Sequence, residues 1–178
     1  VDGTGAPWFL ADVGIKGDRI VALGRLAGAQ ATTRVDAKGL VVAPGFIDLL
    51  GQSEFNVLVD NRAASKITQG ITTEITGEGG SIAPVSDAMI ADSKAAYDAF
   101  KVTRDWHSLA EYFTRLERST SAINIGTFVG SGGLREYVVG KENRPATAAE
   151  LAQMKALVEA AMKDGALGVS SSLQYVPN

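Results

Sequence analysis

The sequence has no cysteine and only one histidine. Without cysteine there are no disulfides and no thiolate metal ligands. The lone histidine, His107, stands beside Trp106 at an expected helix start, where a surface or helix-start role is expected. No stretch approaches the ~18 apolar residues of a membrane span. The net charge of −3 is mild and mixed in sign. There is no basic stripe interleaved with aromatics, so nucleic acid is not the expected partner. The dinucleotide fingerprint is missing, because Gly130-x-Gly132-x-x-Arg135 fails at its third glycine, and no P-loop lysine follows "GEGGS". Ser170, Ser171 and Ser172 have no evident histidine or aspartate partner for a nucleophilic serine. The chain opens at Val1 without an initiator methionine or signal-like segment, which leaves its compartment open.

The first forty residues have β character. "ADVGIKGDRIVALG" (11–24) places two apolar runs around Lys16-Gly17-Asp18, which is hairpin chemistry. "TRVDAKGLVVAPG" (33–45) repeats the plan with Lys38-Gly39 as the turn. From Val41 the pattern changes to strands alternating with helices. "LVVAPGFIDLL" is a continuous apolar run, as expected of a strand buried on both faces, with Gly45 to Leu50 at its heart. A helix is expected over 60–70, started by Asp60 and stopped by Gly70, and then a strand over 71–80. Helices follow over 86–101 and 106–118, the second with Leu109, Tyr112, Phe113 and Leu116 at helical spacing. A third strand covers 122–130. The next helix has a capping box in Thr147 and Glu150, an apolar stripe of Leu151, Met154, Leu157, Val158 and Ala161, and Gly165 as its stop. A fourth strand is expected over 166–175.

This alternation implies an α/β fold with a parallel sheet. A small β module (1–43) feeding βα repeats (44–178) favours the first four strands of a (β/α)8 TIM-type barrel, whose usual length is ~250 residues. Four strands alone expose two sheet edges, so the chain reads as a fragment.

Barrel chemistry sits at the C-terminal ends of strands. Asp48 and Glu78 are the conspicuous carboxylates there. Glu78, between Gly77 and Gly79, is a hard oxygen donor suited to Zn²⁺ or a similar divalent ion, or else a solvated turn residue. Asp48 lies in an apolar run where a charge needs a partner. It either orients a metal ligand or accepts backbone hydrogen bonds at the strand end. Tyr175 either donates to a developing oxyanion or is an ordinary loop aromatic. Arg135 could bind a carboxylate, but more often such a residue pairs within its own loop.

With these residues in view, "VDGTGAP…ADVGIKGDRIVALG", "VVAPGFID", "GITTEITGEGGSIAP" and "GLREYVVG…ATAAELAQMKALVEAAMKDGALGVSSSLQYVP" resemble the N-acyl-D-amino-acid deacylase (D-aminoacylase) family of the amidohydrolase superfamily. The resemblance runs nearly end to end. It implies a metal-dependent barrel plus a small β domain, hydrolysing the amide of a small-molecule N-acyl-D-amino acid, usually with zinc. The general acid/base would be an aspartate on strand eight, beyond this chain. Hydantoinase-like hydrolysis of a cyclic amide, or a non-catalytic barrel of the same ancestry, are the alternatives. Family members commonly carry two histidines where Leu50 and Gln52 stand here, and a "GHG"-like element where Gly130-Ser131-Gly132 stands. Counted back from Ala83-Pro84, Glu78 takes the position of the family's metal-binding cysteine. The resemblance therefore implies one tightly bound metal, with Glu78 as a ligand, Asp48 near it, and Tyr175 near the substrate carbonyl.

Overall fold

The computed structural model describes residues 1–175. The chain divides into two compact units, Val1–Pro44 and Gly45–Asn178. The first is built on an antiparallel hairpin, β1 (Asp12–Lys16) and β2 (Arg19–Gly24). Lys16 pairs with Arg19, so Gly17-Asp18 forms the two-residue loop, and Gly17 takes the positive φ (62°) that such a loop requires. The second expected hairpin does not form. Lys38-Gly39 does turn, with the Lys38 N–H on Asp36 Oδ1 and the Leu40 N–H on the Ala37 carbonyl. No ladder follows, because the flanking residues find no strand to pair with among the described residues.

The second unit holds a parallel sheet with helices packed on it. Its strands are β3 (Phe46–Asp48), β4 (Ile71–Thr76), β5 (Asn124–Thr127) and its short continuation β6 (Val129–Gly130), and β7 (Val169–Ser170). β3 pairs with β4 and β4 with β5, all parallel, and β6 pairs with β7. The Leu167 N–H on the Thr127 carbonyl and the Val129 N–H on the Gly168 carbonyl join β7 to the β5–β6 run. The four strand runs therefore lie side by side in chain order, the arrangement of the first half of a (β/α)8 barrel.

The outer strands are shorter than their apolar runs suggest. β3 is three residues long, and Phe46 and Ile47 are exposed, so it is not buried on both faces. Among the described residues it is an edge strand, paired with β4 alone. Likewise only Val169 and Ser170 of the 166–175 run enter a ladder. The expected helix over 60–70 is broken into α1 (Asn56–Val59) and α2 (Ala64–Ile67). Asp60 starts no helix, because its carboxylate is taken by Arg62, by the backbone N–H at 3.1 Å and by Nε and Nη2 at 2.8 and 2.7 Å. Ala63 then adopts a left-handed conformation (φ 43°), which separates the two turns.

The longer helices follow their caps. Ser86 caps α3 (Asp87–Ala99) by accepting from the Met89 N–H. Ser108 and Glu111 form a capping box on α4 (Leu109–Ser119). The α4 stripe buries Leu109, Tyr112 and Leu116 beside Trp106, whose Nε1 donates to the Ile82 carbonyl at 3.1 Å. These residues, with Val57, Ile123, Val129 and Ala161, make the core between helices and sheet. α5 (Ser131–Val138) has no helical signal in its glycine-rich start, yet it buries Gly132 and Leu134.

α6 (Ala148–Asp164) has the expected box, with Thr147 Oγ1 accepting from the Glu150 N–H and the Thr147 N–H donating to Glu150 Oε2 at 2.7 Å. Arg144 adds a fork on Glu150 at 2.8 and 2.7 Å. That guanidinium, then the Thr147 N–H, pulls the Glu150 carboxyl from its ordinary 4.5 to about 2. A depressed carboxyl stabilises the fold above its unfolded pKa and stops doing so as pH falls through its folded one. The melting-point difference between the parent and Arg144→Met is therefore expected to be constant above pH 4.5 and to shrink as pH falls toward 2, as read by thermal unfolding at a series of pH values.

Candidate functional site

Two structures meet at the C-terminal ends of β3 and β4. One is a buried ion cluster. Asp48 closes β3, with Oδ1 accepting from the Leu50 N–H at 3.2 Å and Oδ2 from Lys66 Nζ at 2.6 Å. Lys66 rises from α2, which packs on β4, and lies 3.3 Å from Glu74 Oε2. Glu74 sits opposite Asp48 in the β3–β4 register and is fully buried, its Oε1 accepting from the Ser53 N–H at 2.8 Å. A Cβ at Gly51 would fall 1.8 Å from Glu74 Oε1, so any larger residue there would displace the Glu74 side chain. One ammonium thus serves two carboxylates. Lys66, then the Leu50 N–H, holds the Asp48 carboxyl below its usual range. Asp48 in turn keeps the Lys66 ammonium above its usual range against the cost of burial, with Glu74 adding to the effect. Beside this cluster, burial and then the Glu74 charge push the Glu54 carboxyl up.

The other structure is the loop that carries Glu78. Gly77 (φ 92°) and Gly79 (φ 68°) flank it in conformations that side chains disfavour. The loop is pressed against the neighbouring strand end. A Cβ on Gly77 would meet the Phe128 carbonyl oxygen at 2.2 Å, and one on Gly130 would meet the Gly79 carbonyl oxygen at 2.4 Å. The Gly79 N–H donates to Ser170 Oγ at 3.1 Å, and that hydroxyl donates to the Gly77 carbonyl. The Gly132 N–H donates to the Gly79 carbonyl at 2.8 Å, and the Gly130 N–H to Ser81 Oγ at 3.2 Å. On this fixed backbone the Glu78 side chain is exposed, with no hydrogen bond or ion pair among the described residues.

The structure keeps the expected site residues apart. Among the described residues the Glu78 carboxylate has no partner while Asp48 is engaged by Lys66, so they share none. Tyr175 is 59% exposed past β7, its N–H on the Ser172 carbonyl. Leu50 is 64% exposed and Gln52 is also exposed. His107 contacts Asp87 Oδ1 at 2.9 Å, joining the starts of α3 and α4. Arg135, in the last turn of α5, donates to the carbonyls of Glu142 and Arg144 in the segment that follows the helix. Among the described residues no three His, Cys, Asp or Glu side chains are arranged to hold a metal. The donor chemistry nevertheless fits one ligand, because Glu78 is an unengaged carboxylate on a braced loop at a barrel strand's C-terminal end.

Sequence reasoning passed over Glu74, Lys66 and the bracing role of Ser170. The signal for Glu74 was present: a charge inside the β-branched strand "ITTEIT" must find a partner if that strand is buried.

Comparison with known proteins narrows the class to which this parallel half-barrel belongs. No family model matches the chain. It is 40% identical over 178 residues to a D-aminoacylase of Alcaligenes xylosoxydans xylosoxydans, covering 99% of this chain and 37% of that protein. It also superposes on a D-aminoacylase structure described by its binuclear metal centre, with one-metal activation and second-metal attenuation. That match has a TM-score of 0.85 and 38% identity, covering 99% of this chain and 37% of the other. An N-acyl-D-glutamate deacylase from Bordetella bronchiseptica, in complex with zinc and a phosphonate mimic of the tetrahedral intermediate, matches with a TM-score of 0.84 and 35% identity, covering 99% and 37%. The chain is similar along nearly its whole length to D-aminoacylases and N-acyl-D-amino-acid deacylases of the amidohydrolases. It spans 37% of the length of the D-aminoacylase it matches.

Proposed function

We propose that the full-length polypeptide containing this chain is a metal-dependent hydrolase that cleaves the amide bond of small N-acyl-D-amino acids. One divalent ion, zinc or similar, is bound tightly, and Glu78 supplies one of its ligands. The observation that carries this reading is the free, exposed Glu78 carboxylate on a backbone braced from both sides, in a chain with deacylase relatives along its whole length. A bound zinc ion supplies a water acidified toward a pKa of ~7. In this chain Glu78 presents a negative oxygen to the ion. Asp48 acts at one remove, through Lys66, by fixing the end of β3. In this reading Tyr175 donates its hydroxyl to the substrate carbonyl. Leu50 and Gln52 cannot form a histidine pair, which agrees with a single tight ion. Catalytic zinc normally has three protein ligands, so the remaining donors lie outside the described residues.

The test is to purify the full-length protein, measure its metal content, and assay N-acetyl-D-amino acids against their L-enantiomers and against hydantoins. About one equivalent of divalent metal and D-selective deacylation are expected. A metal-free, inert protein overturns the reading, and turnover of hydantoins in preference assigns the barrel to cyclic amides.

A further inference from the structure

One hydroxyl of the serine run at the end of β7 reaches the Glu78 loop from far along the chain. Ser170 Oγ accepts from the Gly79 N–H at 3.1 Å and donates to the Gly77 carbonyl, so one hydroxyl spans the two peptide groups on either side of Glu78. It reaches them from 91 and 93 residues away in sequence. The other supports come from the β6–α5 junction, through the N–H groups of Gly130 and Gly132. Both glycines flanking Glu78 have positive φ, so without these bonds the loop has many conformations to choose from.

We propose that Ser170 is a positioning residue: its hydroxyl sets the direction in which Glu78 leaves the end of β4, and so the affinity of the site for a divalent ion. The inference rests on the reading of Glu78 as a ligand. Hydrogen bonds that orient a metal ligand typically change affinity by 10- to 100-fold when removed. Ser170 does this from β7, which pairs with β6 rather than with β4, so its hydroxyl couples the end of β7 to the loop after β4 across the β5–β6 run.

The experiment uses the full-length protein and zinc ion as the probe, with affinity read by competition against a chromogenic chelator. Ser170→Ala is expected to weaken zinc binding by about 10- to 100-fold. It should also speed hydrogen exchange at the Gly79 amide in the zinc-free protein and leave thermal unfolding cooperative. Ser170→Thr keeps the hydroxyl and is expected to retain most of the affinity. If Ser170→Ala binds zinc like the parent while Glu78→Gln does not, the positioning role is wrong and the ligand assignment stands. If Glu78→Gln binds zinc like the parent, the ligand assignment itself is wrong and the positioning role goes with it. Loss of the fold in Ser170→Ala, or a threonine variant as weak as the alanine one, makes the hydroxyl a general structural element and also overturns the proposal.

Discussion

Lys66→Met is expected to destabilise the protein by about 3 kcal/mol, the low end of what is seen when one partner is removed from a buried ion pair. The reason lies with Glu74 more than with Lys66. Glu74 is fully buried, and after the substitution its one remaining polar contact is the Ser53 N–H. Methionine fills most of the volume of the lysine stem, so the loss is electrostatic rather than a cavity. Asp48 also loses its 2.6 Å partner, but it is partly exposed and water can replace the ammonium there. Two features keep the expected effect at the low end: the edge of the cluster is open at Asp48, and Glu74 retains a backbone donor. Removing both charges, as Lys66→Met with Glu74→Leu, is expected to cost less than the sum of the single changes by at least about 1 kcal/mol. Denaturant titration of the parent, the two single variants and the double variant measures that coupling. Additive single effects would mean that the ion cluster does not hold β3, β4 and α2 together.

The sequence made some of this legible and hid the rest for identifiable reasons. Local signals read well. Gly17-Asp18 closed its hairpin, Thr147 and Glu150 capped α6, and the alternation of strands and helices gave the parallel half-barrel. Signals that depend on neighbours read poorly. The apolar run around Phe46 looked like a central strand, but periodicity does not say whether a second neighbour is present. The 60–70 segment looked like one helix, but Asp60 bound Arg62 rather than a helix start. α5 was masked by the glycines at its start, which carry low helix propensity, and of these Gly130 is needed for close approach to the Glu78 loop. At the site, reasoning from strand ends singled out Glu78 and Asp48 as candidates. It missed Glu74 because that residue lies within a strand rather than at its end. Its pairing with Lys66, eight residues earlier, depends on α2 folding back onto β4. Ser170 was weighed only as a nucleophile, and its bracing role is set by the β6–β7 pairing that brings it to Gly77 and Gly79.

The second large effect is expected at Glu78. Its carboxylate makes no internal hydrogen bond or ion pair among the described residues, so Glu78→Gln leaves no buried group unsatisfied and should leave stability unchanged within about 0.5 kcal/mol. The substitution keeps the shape of the side chain and removes its charge. A neutral amide oxygen is a much poorer donor to zinc than a carboxylate, so the loss in affinity should exceed the ~100-fold upper range for groups that only orient ligands. A large binding effect without a stability effect is what separates a ligand from a structural glutamate. Zinc affinity of full-length Glu78→Gln, measured by chelator competition beside its thermal unfolding, tests the account most directly. At least about a 100-fold weaker zinc complex on an undisturbed fold is expected, and a variant that binds zinc as tightly as the parent would rule out Glu78 as a ligand.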